Sequence, residues 1–314
     1  MNPVGVAQPD QAYVAPISVE GVVEALAAGG RVIAGGTDLV VSARRDGTPL
    51  PEWLVDITRV EALRATETAD GGGLRLGPLA RHQDLAGDPT IRAHYTALAD
   101  ASAIVGSPAT RWVGTIGGNV MSASPGAATI GPLLCFDAIA SLASTTGTRT
   151  LPVADLLIGP SRTSARDDEL LTAFDLAPVA DGSGSCYVRL GFRRQMEGAL
   201  AGAAVLVRLM DGAISDARVA ITGVAPTIRR VMEAEAELIG STGDEDAIEA
   251  AAAAAQAASQ PADDFRASAA YRAEMASVVC QRVIRAAIAR ATGTHVRIPA
   301  SLELLGAAPQ QVDR

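Results

Sequence analysis

The sequence predicts an α+β protein built as two consecutive units. Three observations carry that reading. Short apolar runs alternate with helical patterns over the first half of the chain. Three long strand patterns followed by three helical patterns fill the second half. Between them lies Ala177-Pro178-Val179-Ala180-Asp181-Gly182-Ser183-Gly184-Ser185, a stretch with linker composition.

Residues 18–29 read as a helix. Ser18 is placed as N-cap, Val22, Val23 and Leu26 share one face, Glu20 and Glu24 another, and Gly29-Gly30 stop it. Arg31-Val32-Ile33-Ala34 reads as a short buried strand, and Leu39-Val40-Val41 as the start of a helix. Trp53-Leu54-Val55-Asp56-Ile57 is a second strand. Gly71-Gly72-Gly73 turns into the strand Leu74-Arg75-Leu76-Gly77, and 81–86 and 90–103 are helical by pattern. This alternation predicts a mixed α/β unit. A strand at 138–143, a hairpin turn through Thr145-Thr146-Gly147-Thr148 and a return strand stopped by Pro152 follow. Residues 169–176 form a further strand. Past the linker, 186–194, 199–210 and 213–224 read as strands, with Asp211-Gly212 a strong two-residue hairpin signal. Residues 228–239, 245–258 and 267–291 read as helices, and the tail from Pro309 as frayed.

Composition narrows the function classes. With 314 residues, 48% of them hydrophobic, the chain can bury a sizeable core in two or three domains. Its 26 basic and 35 acidic residues leave a net charge of −9, which argues against nucleic-acid or anionic-membrane partners. Every one of the 26 basic residues is arginine. Without lysine there is neither a Walker A phosphate loop nor a pyridoxal Schiff base. Cys135, Cys186 and Cys280 are widely spaced with no C-x-x-C, so they do not make an iron–sulfur site by themselves and suit a reducing cytosol. His82, His94 and His295 are scattered, and ordinary polar roles are preferred to metal ligation. No secretory signal pattern opens the chain, and no apolar stretch approaches the ~20 residues that span a bilayer. A cytoplasmic location is expected.

Two glycine-rich turns carry the chemistry: Ala34-Gly35-Gly36-Thr37-Asp38 and Gly114-Thr115-Ile116-Gly117-Gly118-Asn119. Glycine permits φ > 0 and close approach of a ligand to the main chain. Successive N–H groups then make a concavity that suits phosphate oxygens. Either turn alone is equally well a tight strand-to-helix connection, and neither has the G-x-G-x-x-G spacing of nicotinamide-binding folds. Thr115 offers a hydroxyl donor and Asn119 an amide. Two such turns in one unit suggest a pyrophosphate held from both sides, and so a dinucleotide cofactor.

Close to its full length, the chain resembles the flavin-binding medium subunit of the molybdenum hydroxylases, the relatives of xanthine dehydrogenase and carbon monoxide dehydrogenase. The resemblance rests on Tyr13, Pro16, Ser18 and Leu26; on Ala34-Gly35-Gly36-Thr37-Asp38-Leu39; on Leu54-Val55-Asp56-Ile57; and on Arg111-Trp112-Val113-Gly114-Thr115-Ile116-Gly117-Gly118-Asn119. It continues through Ser124-Pro125, Asp168-Glu169-Leu170-Leu171, Phe192-Arg193-Arg194, and Pro261, Asp264, Arg266, Ser268 and Tyr271-Arg272. Trp112 stands where family members usually have Asn, and Ala128 where they often have Asp.

The resemblance implies a two-part FAD-binding domain of the vanillyl-alcohol-oxidase (PCMH) type over 1–178, with subdomains of about 1–58 and 59–178. A C-terminal domain of three antiparallel strands and three helices would follow over 185–292, then a tail over 293–314. It implies FAD held at Ile33, Ala34, Gly35, Gly36, Thr37, Asp38, Leu39, Thr115, Gly117, Gly118, Asn119 and Ser124, with Leu170 and Leu171 against the isoalloxazine. Covalent oxidases carry His where Thr37 stands, so non-covalent flavin is expected. The implied function is that of an FAD-dependent oxidoreductase subunit. It would pass electrons from iron–sulfur clusters to FAD and on to an acceptor such as NAD or a quinone. A molybdopterin-binding large subunit and a 2Fe-2S small subunit would complete a hetero-oligomer. A self-sufficient FAD oxidoreductase using His82 or Tyr95 as base, or a flavin-free assembly scaffold, are the alternatives.

Overall fold

The computed structural model describes residues 12–302 except 46, 48, 70 and 194; Arg194 and the end of the expected tail, 303–314, lie outside the described residues. The chain opens with β1 (Ala12–Val14), α1 (Val19–Ala27), β2 (Arg31–Ile33), α2 (Leu39–Arg45) and β3 (Trp53–Asp56). Both β1 and β2 pair parallel with the central β3, in the order β1-β3-β2. Parallel neighbours need crossover connections, and the helices supply them. Ser18 caps α1 by accepting the Gly21 N–H at 3.2 Å. Val22, Val23 and Leu26 then bury against Val55, Ile57 and Val60, each such side chain contributing about 1.5–3 kcal/mol. The expected buried strand at 31–34 is instead an exposed edge: β2 has one neighbour only, and Val32 lies open to solvent.

The next unit is antiparallel rather than α/β. It runs β4 (Thr66–Thr68), β5 (Leu74–Leu76), then α3 (His82–Gly87), α4 (Pro89–His94), α5 (Thr96–Ala103), α6 (Pro108–Arg111), α7 (Ile116–Met121) and α8 (Ile130–Cys135). After these come β6 (Ile139–Ser144), β7 (Gly147–Pro152), α9 (Val153–Leu156), the small hairpin β8 (Leu157–Gly159) with β9 (Arg162–Thr163), and β10 (Leu170–Leu176). The five-stranded sheet has the order β4-β5-β10-β6-β7. β4 gives no sequence signal because its Thr-Glu-Thr is exposed throughout. The single helix expected over 90–103 is broken at Tyr95, whose backbone leaves the helical region at φ −115°, ψ 47°. Its ring packs edge-on against Phe136 with centroids 5.0 Å apart, and its hydroxyl donates to the Ala177 carbonyl at 2.9 Å.

The last unit is the antiparallel sheet β11 (Ser183–Leu190), β12 (Ala201–Met210), β13 (Ala213–Thr222) and β14 (Arg229–Arg230), covered by α10 (Met232–Leu238), α11 (Glu245–Ala257) and α12 (Ala269–Ala291). Asp211 and Gly212 both take positive φ, 53° and 81°, as a two-residue turn with primed geometry requires. Two boundaries differ from expectation. β11 starts at Ser183, inside the expected linker, and ends at Leu190 rather than 194. The helix expected from 228 starts only at Met232, because Arg229–Arg230 add a short fourth strand to β13. There Arg230 grips Glu235 at 2.7 Å and Asp137 at 2.7 Å.

One core runs across the last two units, joining Leu133, Phe136 and Leu171 to Tyr187, Ala204 and Leu206 of the four-stranded sheet. Asp100, on α5 and fully buried, anchors this seam. Its carboxylate accepts from Arg290 of α12 at 2.6 and 3.1 Å, from the Tyr187 N–H at 3.2 Å and from the Ala300 N–H at 3.0 Å. Burying a carboxylate is unfavourable unless its oxygens are paired, and here they are.

Candidate functional site

The fold brings the two glycine-rich turns into contact. The first links β2 to α2; the second links α6 to α7. A Cβ on Gly35 would overlap the Val113 carbonyl oxygen and stand 3.2 Å from the Gly114 nitrogen. Only a residue without a side chain fits there. The Thr37 hydroxyl lies beside Gly114, 3.7 Å from where a Cβ of that glycine would be.

The second turn is braced from its other side by 78–82. The Gly117 N–H donates to the Pro78 carbonyl at 2.9 Å, Ile116 N–H to Ala80 at 3.0 Å, and His82 N–H to Gly114 at 3.1 Å. A Cβ on Gly117 would come within 2.8 Å of the Pro78 carbonyl oxygen. Thr115 is the N-cap of α7 and accepts the Gly118 N–H at 3.1 Å. The Asn119 side chain accepts from the Thr129 hydroxyl at 2.6 Å and its N–H at 3.2 Å, which orders the 120–129 loop.

The turns therefore differ in what they offer a ligand. In the second, the N–H groups of Ile116, Gly117, Gly118 and Asn119 all have acceptors within the chain. The expected row of free amides is reduced there to the Thr115 N–H, which meets no acceptor among the described residues and which, with the Thr115 hydroxyl proton, is what that turn can donate. In the first, no acceptor among the described residues meets the N–H groups of Gly35, Gly36, Thr37 or Asp38. Gly35, Gly36 and Thr37 are half-buried and Asp38 is exposed, so these amides are open to water or to a ligand's oxygens. Gly36 takes φ +67°, the left-handed conformation in which the chain turns from β2 into α2. A pyrophosphate fits this arrangement: amides from one turn, a hydroxyl from the other, and no side chain on Gly35 to hold the two turns apart.

The remaining expected contacts lie elsewhere. Ser124 sits after Ala123, a non-glycine residue at φ +46°, and its hydroxyl accepts the Gly126 N–H at 3.4 Å. Its loop is tied to the last unit through Gly223 N–H and the Pro125 carbonyl at 2.7 Å. Leu170 and Leu171 are buried in different cores, Leu170 with the α1 cluster and Leu171 with the central one. Their side chains are committed to packing, so backbone groups are what they have left to present. Glu169 beside them is held by Arg149 at 2.6 Å, which keeps its carboxyl below the usual range. Ala128, buried in the central core, is no place for an unpaired carboxylate, and Trp112 is exposed.

The bases invoked by an oxidase reading are unavailable. His82 is buried, and burial first, the charge of Arg111 second, push its pKa down to about 4. Tyr95 is buried in the central core, its hydroxyl bonded to a carbonyl, with burial raising its pKa. The segment Pro261 to Arg272 is structural: Ser268 caps α12, and Asp264 pairs with Arg266 at 2.8 Å and with Arg272. Cys135, Cys186 and Cys280 are free and buried apart. Among the described residues no cluster of metal-ligating side chains occurs, and no helix is long and apolar enough to cross a membrane.

Sequence reasoning missed Pro78 and Ala80, whose carbonyls brace the second turn, because carbonyl acceptors leave no residue-type signal.

Two family models divide the chain between them. The FAD binding domain in molybdopterin dehydrogenase matches residues 7–177, and the CO dehydrogenase flavoprotein C-terminal domain matches 187–287. The carbon monoxide dehydrogenase medium chain of Hydrogenophaga pseudoflava is 32% identical over 76% of this chain and 83% of its own. The 6-hydroxypseudooxynicotine dehydrogenase complex subunit alpha of Paenarthrobacter nicotinovorans is 34% identical over 90% and 96%. Among solved structures, a carbon monoxide dehydrogenase from Hydrogenophaga pseudoflava superposes with a TM-score of 0.85 at 32% identity, covering 91% of this chain and 99% of that one. Quinoline 2-oxidoreductase from Pseudomonas putida 86 gives 0.83 at 28% identity, covering 91% and 99%.

Proposed function

The chain belongs to the FAD-binding medium subunits of the molybdenum hydroxylases, and from that premise we propose that it takes electrons from an iron–sulfur partner and delivers them to a separate acceptor such as NAD or a quinone. FAD is its cofactor, and it is a subunit of an FAD-dependent oxidoreductase. The flavin supplies the redox chemistry when bound. The residues of this chain do the rest: they bind, orient and exclude water. The observation that carries the reading is the contact of the two turns at Gly35 and Val113. The free amides of Gly35 to Asp38 would take the pyrophosphate from one side and the Thr115 hydroxyl from the other. Ile33, Ala34 and Leu39 would flank the first turn, and Gly117, Gly118, Asn119 and Ser124 would shape the second side. Leu170 and Leu171 would contribute main-chain groups near the ring. Thr37 stands where covalent oxidases carry the histidine whose imidazole bonds the flavin ring, so the cofactor would be held non-covalently.

The burial of His82 and the commitment of the Tyr95 hydroxyl to the Ala177 carbonyl fit electron transfer, which needs no side-chain base, better than substrate oxidation on this chain. A molybdopterin-binding large subunit and a 2Fe-2S small subunit would be its partners in a hetero-oligomer. Affinity capture of the tagged chain from its source cells tests this. Two further polypeptides carrying iron and molybdenum are expected. Capture of the flavin-loaded chain alone, with substrate oxidation of its own, would refute it.

A further inference from the structure

A cavity of about 790 Å³ opens where α3, the end of α5 and α6 face the loop after β11 and the 297–302 segment after α12. None of its lining residues belongs to either glycine-rich turn. Four arginines line it, Arg111, Arg189, Arg193 and Arg297, and no aspartate or glutamate does. That is an unusual concentration in a chain of net charge −9. Arg193 pairs with Glu197 at 3.1 Å. The other three have no carboxylate partner among the described residues.

Two of those three are nonetheless held in place. Arg111 donates Nη1 to the Val105 carbonyl at 3.2 Å. Arg189 donates Nη2 to the Ile104 carbonyl at 3.1 Å and Nη1 to the Glu197 carbonyl. Neutral carbonyls fix a guanidinium without neutralising it. Of these two, Arg111 is the less compensated: its Nε is buried with no acceptor, and burial lowers its pKa. Fixed, unneutralised guanidinium forks are the groups that bind oxyanions in two-pronged geometry. Two such forks with the Arg297 guanidinium beside them call for more than one negative charge, and a phosphate monoester carries nearly two at neutral pH. Ile104, Leu190 and Phe192 give the same cavity an apolar wall.

We propose that this cavity binds a phosphate-bearing organic anion, its phosphoryl oxygens on Arg111, Arg189 and Arg297 and its organic part against Ile104, Leu190 and Phe192. The site is separate from the flavin turns, and the proposal does not depend on the electron-transfer reading.

Calorimetric titration of the FAD-loaded chain with phenyl phosphate in 0.15 M NaCl tests it. One saturable site is expected, with benzoate, which has a single charge, at least tenfold weaker. Arg297→Gln and Arg189→Gln should each weaken phenyl phosphate tenfold or more. Because the Arg297 side chain has no partner among the described residues, and its one hydrogen bond, from Arg290 at 3.2 Å, is to the backbone carbonyl, its variant should keep its flavin content and melting temperature. Three results would overturn the site: no saturable binding, unchanged affinity in both variants, or binding confined to the FAD-free chain, which would make the cavity part of the flavin site. Equal affinity for benzoate would overturn the phosphate assignment.

Discussion

Gly35 and Val113 touch: the α-carbon of the first faces the carbonyl oxygen of the second so closely that no side chain fits between them. Two loops far apart in the sequence thereby form one cradle. Its free amides come from the first loop and its hydroxyl from the second.

Gly35→Ala forces a Cβ into that contact. Overpacking of this kind costs about 1–3 kcal/mol, and the strain is relieved by parting the loops. The expected outcome is a folded chain with at least tenfold weaker FAD retention, read as the 450 nm absorbance per chain after desalting. Full retention would mean that the loops do not act together.

Thr115 caps α7 and, in the proposed site, would also offer its hydroxyl proton to the ligand. Thr115→Ser should preserve both. Thr115→Ala loses the cap, at about 1 kcal/mol, and the donor as well. Titration of FAD into deflavinated protein should show Ser close to wild type and Ala weaker by more than the change in melting temperature explains.

Asp100 and Arg290 lock the second unit to the third. Removing one member of a buried pair strands the other charge, at about 3–5 kcal/mol. Arg290→Met should lower the urea midpoint by that equivalent, and Asp100→Asn with Arg290→Met should recover part of it. A single variant as stable as wild type would show that the seam does not depend on the pair.

His82 makes the fold acid-sensitive in a defined window. Its folded pKa of about 4 lies below the ~6.5 of an unfolded chain. Between those values the unfolded state binds a proton that the folded state refuses. Its contribution is therefore complete above pH ~6.5 and is lost as pH falls towards ~4, about 3 kcal/mol in all. The stability difference between wild type and His82→Gln should shrink by roughly that amount between pH 7.5 and 4. A difference constant with pH would mean that His82 titrates normally.

Much of this was legible in the sequence. Ser18, the Val22/Leu26 face and Gly29 marked α1, and Asp211-Gly212 marked its hairpin, because caps and turns are local chemistry. The two turns were visible as glycine beside hydroxyl and amide residues. Non-local features were not. Tyr95 breaks a helix for the sake of Phe136 and Ala177. Arg229–Arg230 extend because Glu235 and Asp137 hold Arg230. Which turn has free amides depends on Pro78 and Ala80, whose side chains say nothing about where their carbonyls point.

Paired turns that hold FAD without a covalent bond release it on denaturation. The most direct measurement is the visible spectrum of the purified chain before and after acid precipitation. Flavin bands that pass wholly into the supernatant, and that are lost from the start in Gly35→Ala, are predicted. A colourless chain that takes up no added FAD, or colour that stays with the pellet, would contradict the account.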